Sequence, residues 1–207
     1  MSSPWPRAHA HLSRRDARLR PVVRTVGPVR LAVERNRFQA LAESILYQQL
    51  AGAAAESIVR RVREANGGRF PDAAELRALS DRRLRACGVS PQKLSYLKAL
   101  AREVDDGLLD LSRLSREDDE AVVERLVELP GIGRWTAEMF LIFSLGRPDV
   151  LPVGDYGVRK GMQRLYGLRA LPLPERMREI AEPWRPYRSA GSWYLWRSLS
   201  PTVRAES

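Results

Sequence analysis

Leu129-Pro-Gly-Ile-Gly-Arg-Trp-Thr-Ala137 is the stretch that decides how this chain is read. Helical periodicity stops just before it and resumes just after it, and the five residues Leu129–Gly133 are too few for a flexible loop. They must form a tight turn between two helices. Gly131 and Gly133 are expected to take positive φ and to expose backbone N–H groups. The helix that follows points its positive dipole end at the same spot, so the turn offers a small anion site suited to one or two phosphates. Pro130 and Ile132 are expected to anchor the turn between the helices. Such a grip reads backbone and not base sequence. Taken alone, the motif also fits an ordinary αα turn with a glycine cap.

Outward from the turn, the pattern is helical almost everywhere. Upstream, Arg116–Glu128 carries Val122, Val123, Leu126 and Val127 as an inner face, and downstream an apolar helix runs through Met139, Phe140, Ile142 and Phe143 towards Gly146-Arg-Pro148. Leu41, Ile45, Leu46, Leu50, Ala54 and Ile58 recur at helical spacing across one or two helices interrupted at Ala51-Gly52. Asn66-Gly67-Gly68 closes that region as a turn. Pro71-Asp, Ser80-Asp and Ser90-Pro each open a further helix. Val150–Asp155 reads as extended; Tyr156–Tyr166, Pro172–Ala181 and Tyr187–Leu199 return to helical spacing. Residues 1–7 read as a loose terminus, followed by two short basic stretches around His11–Arg20 and Pro21–Leu31. With strand-like alternation nearly absent and no fixed repeat, the expected fold is all-α, of about nine to eleven short helices.

The 207 residues, 44% hydrophobic, suffice for one compact domain with a substantial core. Thirty-five Lys and Arg against 25 acids leave a net charge of +10, and only Lys93, Lys98 and Lys160 are lysines. A guanidinium-rich surface suits bidentate phosphate contacts and favours a polyanionic partner, although an arginine-rich composition alone gives the same excess. The single cysteine, Cys87, excludes an internal disulfide, a four-cysteine zinc site and a cysteine-ligated iron–sulfur cluster within the chain. No apolar run approaches the roughly 20 residues needed to span a bilayer, and Met1-Ser-Ser-Pro-Trp-Pro-Arg7 lacks an apolar signal core.

Asp155 follows Leu151-Pro-Val-Gly and begins a helix eighteen residues after Ala137. The plain reading is an N-cap. In combination, however, the hairpin, the aromatic after it, the apolar helix and Pro152-Val-Gly-Asp155 resemble the helix-hairpin-helix DNA glycosylase superfamily, most closely its 3-methyladenine DNA glycosylase II (AlkA/Mag) branch. Phe38–Leu50 with Ala53–Ile58 resembles the early helix pair of that family, Ser90–Leu97 its mid-chain helix, and Trp184–Ser189 with Trp193–Trp196 its C-terminal helix. The resemblance covers roughly residues 10–200.

The resemblance implies one catalytic domain over 1–207 in two helical lobes, about 8–36 with 152–205 and about 37–151, and an active-site cleft between them that accepts a flipped nucleotide. Asp155 matches the catalytic aspartate. A carboxylate beside the anomeric carbon stabilises the positive charge that develops on the sugar. Most glycosidases also need an acid for the leaving group, but an alkylated purine already carries positive charge, so one aspartate suffices. Trp135, Tyr156 and Trp196, with Met139, match positions lining the base pocket, where aromatic faces favour a cationic base. Gly131, Ile132, Gly133, Arg134 and Thr136 match the backbone grip, and Gln48, Gln49 and Leu50 match the segment that fills the gap behind the flipped base. The carbonyls of Val127, Leu129 and Ile132 match those that hold Na+ or K+. No cofactor is expected for the chemistry. Damaged double-stranded DNA is the implied partner of a monomer working in the bacterial cytoplasm at the nucleoid.

Two positions depart from the family pattern: Gly154 stands where relatives often carry a second aspartate, and Met139 where an aromatic is expected. The β-rich N-terminal lobe of the family is not expected either, since few residues precede Phe38. Members with lyase activity place a lysine in or just after the hairpin for a Schiff base; Arg134-Trp-Thr-Ala137 has none, which implies a monofunctional enzyme acting on alkylated bases: 3-methyladenine, 7-methylguanine, and as further candidates 1-methyladenine, 3-methylcytosine and ethenoadenine. The readings that compete are a non-catalytic DNA-binding module using only the hairpin and, more weakly, a helix-turn-helix regulator.

Overall fold

A computed structural model describes residues 5–50 and 52–200. Residues 1–4, Ala51 and 201–207 lie outside the described residues, and with them part of the expected loose terminus, one half of the expected Ala51-Gly52 break and the end of the first expected lobe.

Among the described residues the chain forms twelve α-helices, two short 3-10 turns and no strand. No helix among them is long and apolar enough to cross a membrane. The chain divides into two compact units, 1–33 with 141–207 and 34–140.

The first unit opens with α1, Trp5–Arg15, and α2, Arg20–Val26. Residues 5–7 were expected to be loose. They are helical because Trp5, Ala8 and Leu12 fall on one face and are buried, while the arginines occupy the other. Burial of a side chain the size of that of Leu12 contributes about 1.5–3 kcal/mol. After Val150 the unit continues with α10, Tyr156–Tyr166, α11, Pro174–Ala181, a 3-10 turn at Glu182–Trp184, and α12, Arg188–Ser198. The carboxylate of Asp16 is buried in this unit. It accepts from the backbone N–H of Arg18 and Leu19 at 2.9 Å each, from the indole of Trp184 at 2.6 Å and from the hydroxyl of Tyr166. A buried carboxylate is tolerated because so many donors replace its water.

Helices α10 and α12 meet through glycine. A Cβ on Gly161 would lie 2.8 Å from that of Leu195 and 3.1 Å from its backbone oxygen, so only glycine permits this approach.

The second unit holds α3, Arg37–Tyr47; α4, Gly52–Ala65; α5, Ala73–Ala78; α6, Asp81–Ala86; α7, Pro91–Asp105; α8, Asp119–Val127; and the first seven residues of α9, Arg134–Phe143. The caps read from sequence are formed: Ser80 and Ser90 accept from backbone N–H groups three residues on, and Asp72 closes a capping box with Glu75. Helix α8 is shorter than expected, because Arg113–Arg116 form a separate 3-10 turn and Asp118 precedes the helix. Val127, expected on its inner face, is 41% exposed.

Candidate active site and nucleic-acid interface

In the first unit, the site is built around the start of α10. Asp155 has extended backbone angles (φ −74°, ψ 122°), and its Oδ1 accepts from the backbone N–H of Val158 at 2.7 Å, the bond of an N-cap. The indole Nε1 of Trp196 on α12 donates to the same oxygen at 2.8 Å. The half-buried carboxylate is thus aimed by its own helix and by a second one. The indole is in turn stacked on Phe143 of α9, with ring centres 5.8 Å apart and planes 28° from parallel.

Gly157 makes this cluster possible. A Cβ there would lie 2.8 Å from Cδ1 of Trp196 and 3.1 Å from Oδ1 of Asp155. Gly157 and Gly161 are one turn apart, so the glycine face of α10 admits α12 at both points. Neither glycine was singled out from the sequence, where the Gly-x-x-x-Gly spacing was the available signal, and Phe143 was read only as part of an apolar helix. Tyr156 is 65% exposed beside Asp155, and a Cβ on Gly154 would meet nothing within 4 Å.

In the second unit, α8, the turn and α9 form the hairpin. Gly131 has φ +84°, as expected, and a Cβ there would lie 2.1 Å from the ring of Tyr96. Gly133 differs from expectation. Its φ is not positive, and a Cβ would face open space. Glycine at 133 therefore serves neither turn geometry nor packing and leaves room for a close approach from outside. Ile132 is buried and anchors the turn as expected, but Pro130 is exposed and its expected partner role falls to buried Leu129. The turn is closed by Ile132 N–H to Leu129 O at 3.1 Å and Ala137 N–H to Gly133 O at 3.1 Å.

Arg134 is ion-paired within the unit. Its guanidinium forks onto Glu120 with two 2.7 Å hydrogen bonds, and its Nε lies 3.3 Å from the buried carboxylate of Glu138. The bond to Glu120 holds the guanidinium proton above its ordinary range and lowers the Glu120 carboxyl in return. The Thr136 side chain is buried, so within the candidate grip it offers backbone and not hydroxyl. Trp135, 46% exposed, and half-buried Met139 stand four residues apart on one face of α9.

A cavity of about 450 Å³ lies behind the turn, and Gln48, Gln49, Lys93, Tyr96 and Val127 to Gly133 line it. Val127, Leu129 and Ile132, whose carbonyls were expected to hold a monovalent cation, share this wall. Val127 closes α8, where the helix dipole is negative, and Leu129 and Ile132 follow it in the turn; backbone carbonyls are the donor type an alkali ion takes. The Gln48 amide donates to Gly131 O at 2.6 Å, which ties the segment after α3 to the hairpin.

A tight glycine turn joining two helices is a helix-hairpin-helix arrangement. A family model described as "HhH-GPD superfamily base excision DNA repair protein" matches residues 42–186, and the chain belongs to that superfamily. It is 36% identical over 200 residues to DNA-3-methyladenine glycosylase 1 of Schizosaccharomyces pombe, spanning 93% of this chain and 86% of that protein. Among solved structures, the DNA-3-methyladenine glycosidase of Bacillus halodurans superposes with a TM-score of 0.85 at 36% identity, over 99% of this chain and 94% of that one. The 3-methyladenine DNA glycosylase of Schizosaccharomyces pombe in complex with abasic DNA gives 0.82 at 36% identity, over 93% and 96%.

Proposed function

We propose that this protein is a monofunctional DNA glycosylase that releases alkylated bases, 3-methyladenine and 7-methylguanine first, from double-stranded DNA. The observation that carries the proposal is the Asp155 carboxylate, fixed by Val158 N–H and the Trp196 indole, in a chain that resembles 3-methyladenine glycosylases over nearly its whole length.

The chemistry follows from the charges. The bond between C1′ and the base nitrogen breaks, and its electron pair leaves with the cationic base, which departs neutral. The sugar becomes oxocarbenium-like, and Asp155 stabilises it electrostatically. Water then adds to C1′ and loses a proton, leaving an intact abasic site. Trp135, Tyr156, Trp196 and Met139 are proposed as contacts of the extruded base, aromatic faces favouring a cationic one. Narrower candidates are 1-methyladenine, 3-methylcytosine and ethenoadenine.

Hydrolysis without strand cleavage needs no lysine at the sugar. In support, all three lysines are engaged within their own units: Lys93 on Leu46 O, Lys98 on the carbonyls of Leu76, Arg77 and Leu79, and Lys160 on Gln163 Oε1. The hairpin amides of Gly131, Ile132, Gly133, Arg134 and Thr136 are proposed to bind a phosphate, with Na+ or K+ on the carbonyls of Val127, Leu129 and Ile132. The ion would supply positive charge beside that phosphate. The protein is proposed to act as a monomer at the nucleoid. The test is release of free base from methylated duplex DNA, with strand cleavage and borohydride trapping followed in parallel; cleavage and a trapped adduct with pure protein would replace this reading with a lyase.

A further inference from the structure

Residues 48–50, which follow α3, are held from both sides. At the end of α3, the Lys93 ammonium donates to Leu46 O at 2.7 Å. Two residues later the backbone leaves the helix: Gln48 has φ −54° and ψ 132°, and its N–H makes only a long 3.4 Å bond to Ile45 O. Gln49 then has φ +56°, the one non-glycine residue in the left-handed region among the described residues. Leu50 N–H closes the turn on Tyr47 O at 3.3 Å, and Gln49 and Leu50 point their bulk into solvent. A glutamine in the left-handed region is strained unless its surroundings over-determine it. Those surroundings are Lys93 on one side and the Gln48 amide on Gly131 O at 2.6 Å on the other. Gly131 is itself fixed, with φ +84° and the Tyr96 ring filling the place of its Cβ, and the Tyr96 hydroxyl accepts from Gln92 at 2.7 Å.

We propose that Gln48 is a positioning residue: its amide pins the Gln49-Leu50 tip to the hairpin, so that the side chains filling the gap behind an extruded base stay at fixed reach from the phosphate grip. The inference rests on the base-excision reading. Its consequence is specific to duplex DNA. In a single strand there is no stack to open, and a tip at fixed reach gives no advantage.

The experiment compares wild type with Gln48→Met, which keeps length but removes the donor, and Gln48→Glu, which sets a carboxylate against the Gly131 carbonyl. Base release is followed from dimethyl-sulfate-treated DNA, presented as duplex and as denatured single strands. Loss of one such bond should lower the duplex rate about tenfold and leave the single-strand rate within about twofold. Equal losses on both forms, or none on either, overturn the proposal. Circular dichroism melting of each variant identifies a folding defect, in which case Lys93→Met, which loosens the same segment from its other side, must show the same duplex-selective loss or the proposal fails. Unstacking is read separately, with a 2-aminopurine placed next to a stable abasic analogue in duplex DNA. Wild type should raise its fluorescence on binding and Gln48→Met should not. If wild type releases no base at all, the base-excision reading has failed, and the fluorescence comparison alone decides the role of Gln48.

Discussion

The indole N–H of Trp196 and the backbone N–H of Val158 converge on one oxygen of Asp155, at 2.8 and 2.7 Å. A cap bond alone fixes the direction of the side chain; the second donor, from another helix, fixes its position relative to the core of the first unit. Trp196→Phe keeps an aromatic ring against Phe143 but removes that donor. Base release should fall about tenfold to a hundredfold while DNA affinity stays within about twofold. Single-turnover kinetics beside fluorescence anisotropy measures both, and a parallel loss of affinity would assign Trp196 to DNA binding instead.

Gly157 and Gly154 flank the same carboxylate with opposite expectations. Gly157→Ala sets a methyl group 2.8 Å from Trp196 Cδ1, so the indole must shift and activity should fall at least tenfold, with a stability cost of about 1–3 kcal/mol. Gly154→Ala meets open space and should change neither by more than about 0.5 kcal/mol. Activity assays and thermal melts on the pair decide it, and similar behaviour of the two would remove the packing argument.

The hairpin glycines separate stability from binding. Gly131→Ala is strained at φ +84° and clashes with Tyr96, so it should lower stability by about 1–3 kcal/mol. Gly133→Ala should melt like wild type yet bind DNA about tenfold more weakly, because a methyl group stands where a phosphate would approach. Unchanged affinity in Gly133→Ala would remove the grip from that residue.

Glu120 neutralises Arg134 at the edge of the hairpin. Glu120→Gln should release the two guanidinium nitrogens that fork onto it, with Nε still on Glu138, so that they can take a phosphate, tightening DNA binding at low salt and steepening the log K against log salt slope by about one. An unaltered slope would leave Arg134 outside the interface.

Asp16 holds the first unit together from below its surface. Asp16→Ala leaves Tyr166 and Trp184 without their shared acceptor and should cost about 2–4 kcal/mol in urea melts. Burial, then the bond to Asp16, raises the Tyr166 hydroxyl above its ordinary range. The folded state therefore holds that proton more tightly than the unfolded chain. Its contribution is complete below about pH 10 and is lost as pH rises beyond it. A melt that weakened on acidification through the same group would contradict the sign.

Much of this architecture is written locally. Asp72, Ser80, Ser90 and Asp155 announce helix starts because a cap is chosen by a few neighbouring residues, and Gly131 announces its turn because only glycine takes φ +84° there without strain. Helices α1 and α2 were hidden by arginines and prolines around a sparse apolar face, although Trp5, Ala8 and Leu12 carry the period. Gly133 misled because the same residue type answers two needs, backbone angle and open approach. The contacts of Asp155 with Trp196, and of Gln48 with Gly131, join residues 41 and 83 apart. Nothing in either segment alone encodes them; they exist only once the helices pack.

The central claim is that the Asp155 carboxylate performs the excision. Free base released from dimethyl-sulfate-treated duplex DNA, measured for wild type and Asp155→Asn together with their DNA affinities, tests it most directly. Wild type should release 3-methyladenine, and Asp155→Asn should release it at least about a hundredfold more slowly with affinity retained or tightened. Equal release by the two proteins would remove Asp155 from the chemistry, and no release by wild type despite tight binding would make the chain a DNA-binding module that uses its hairpin alone.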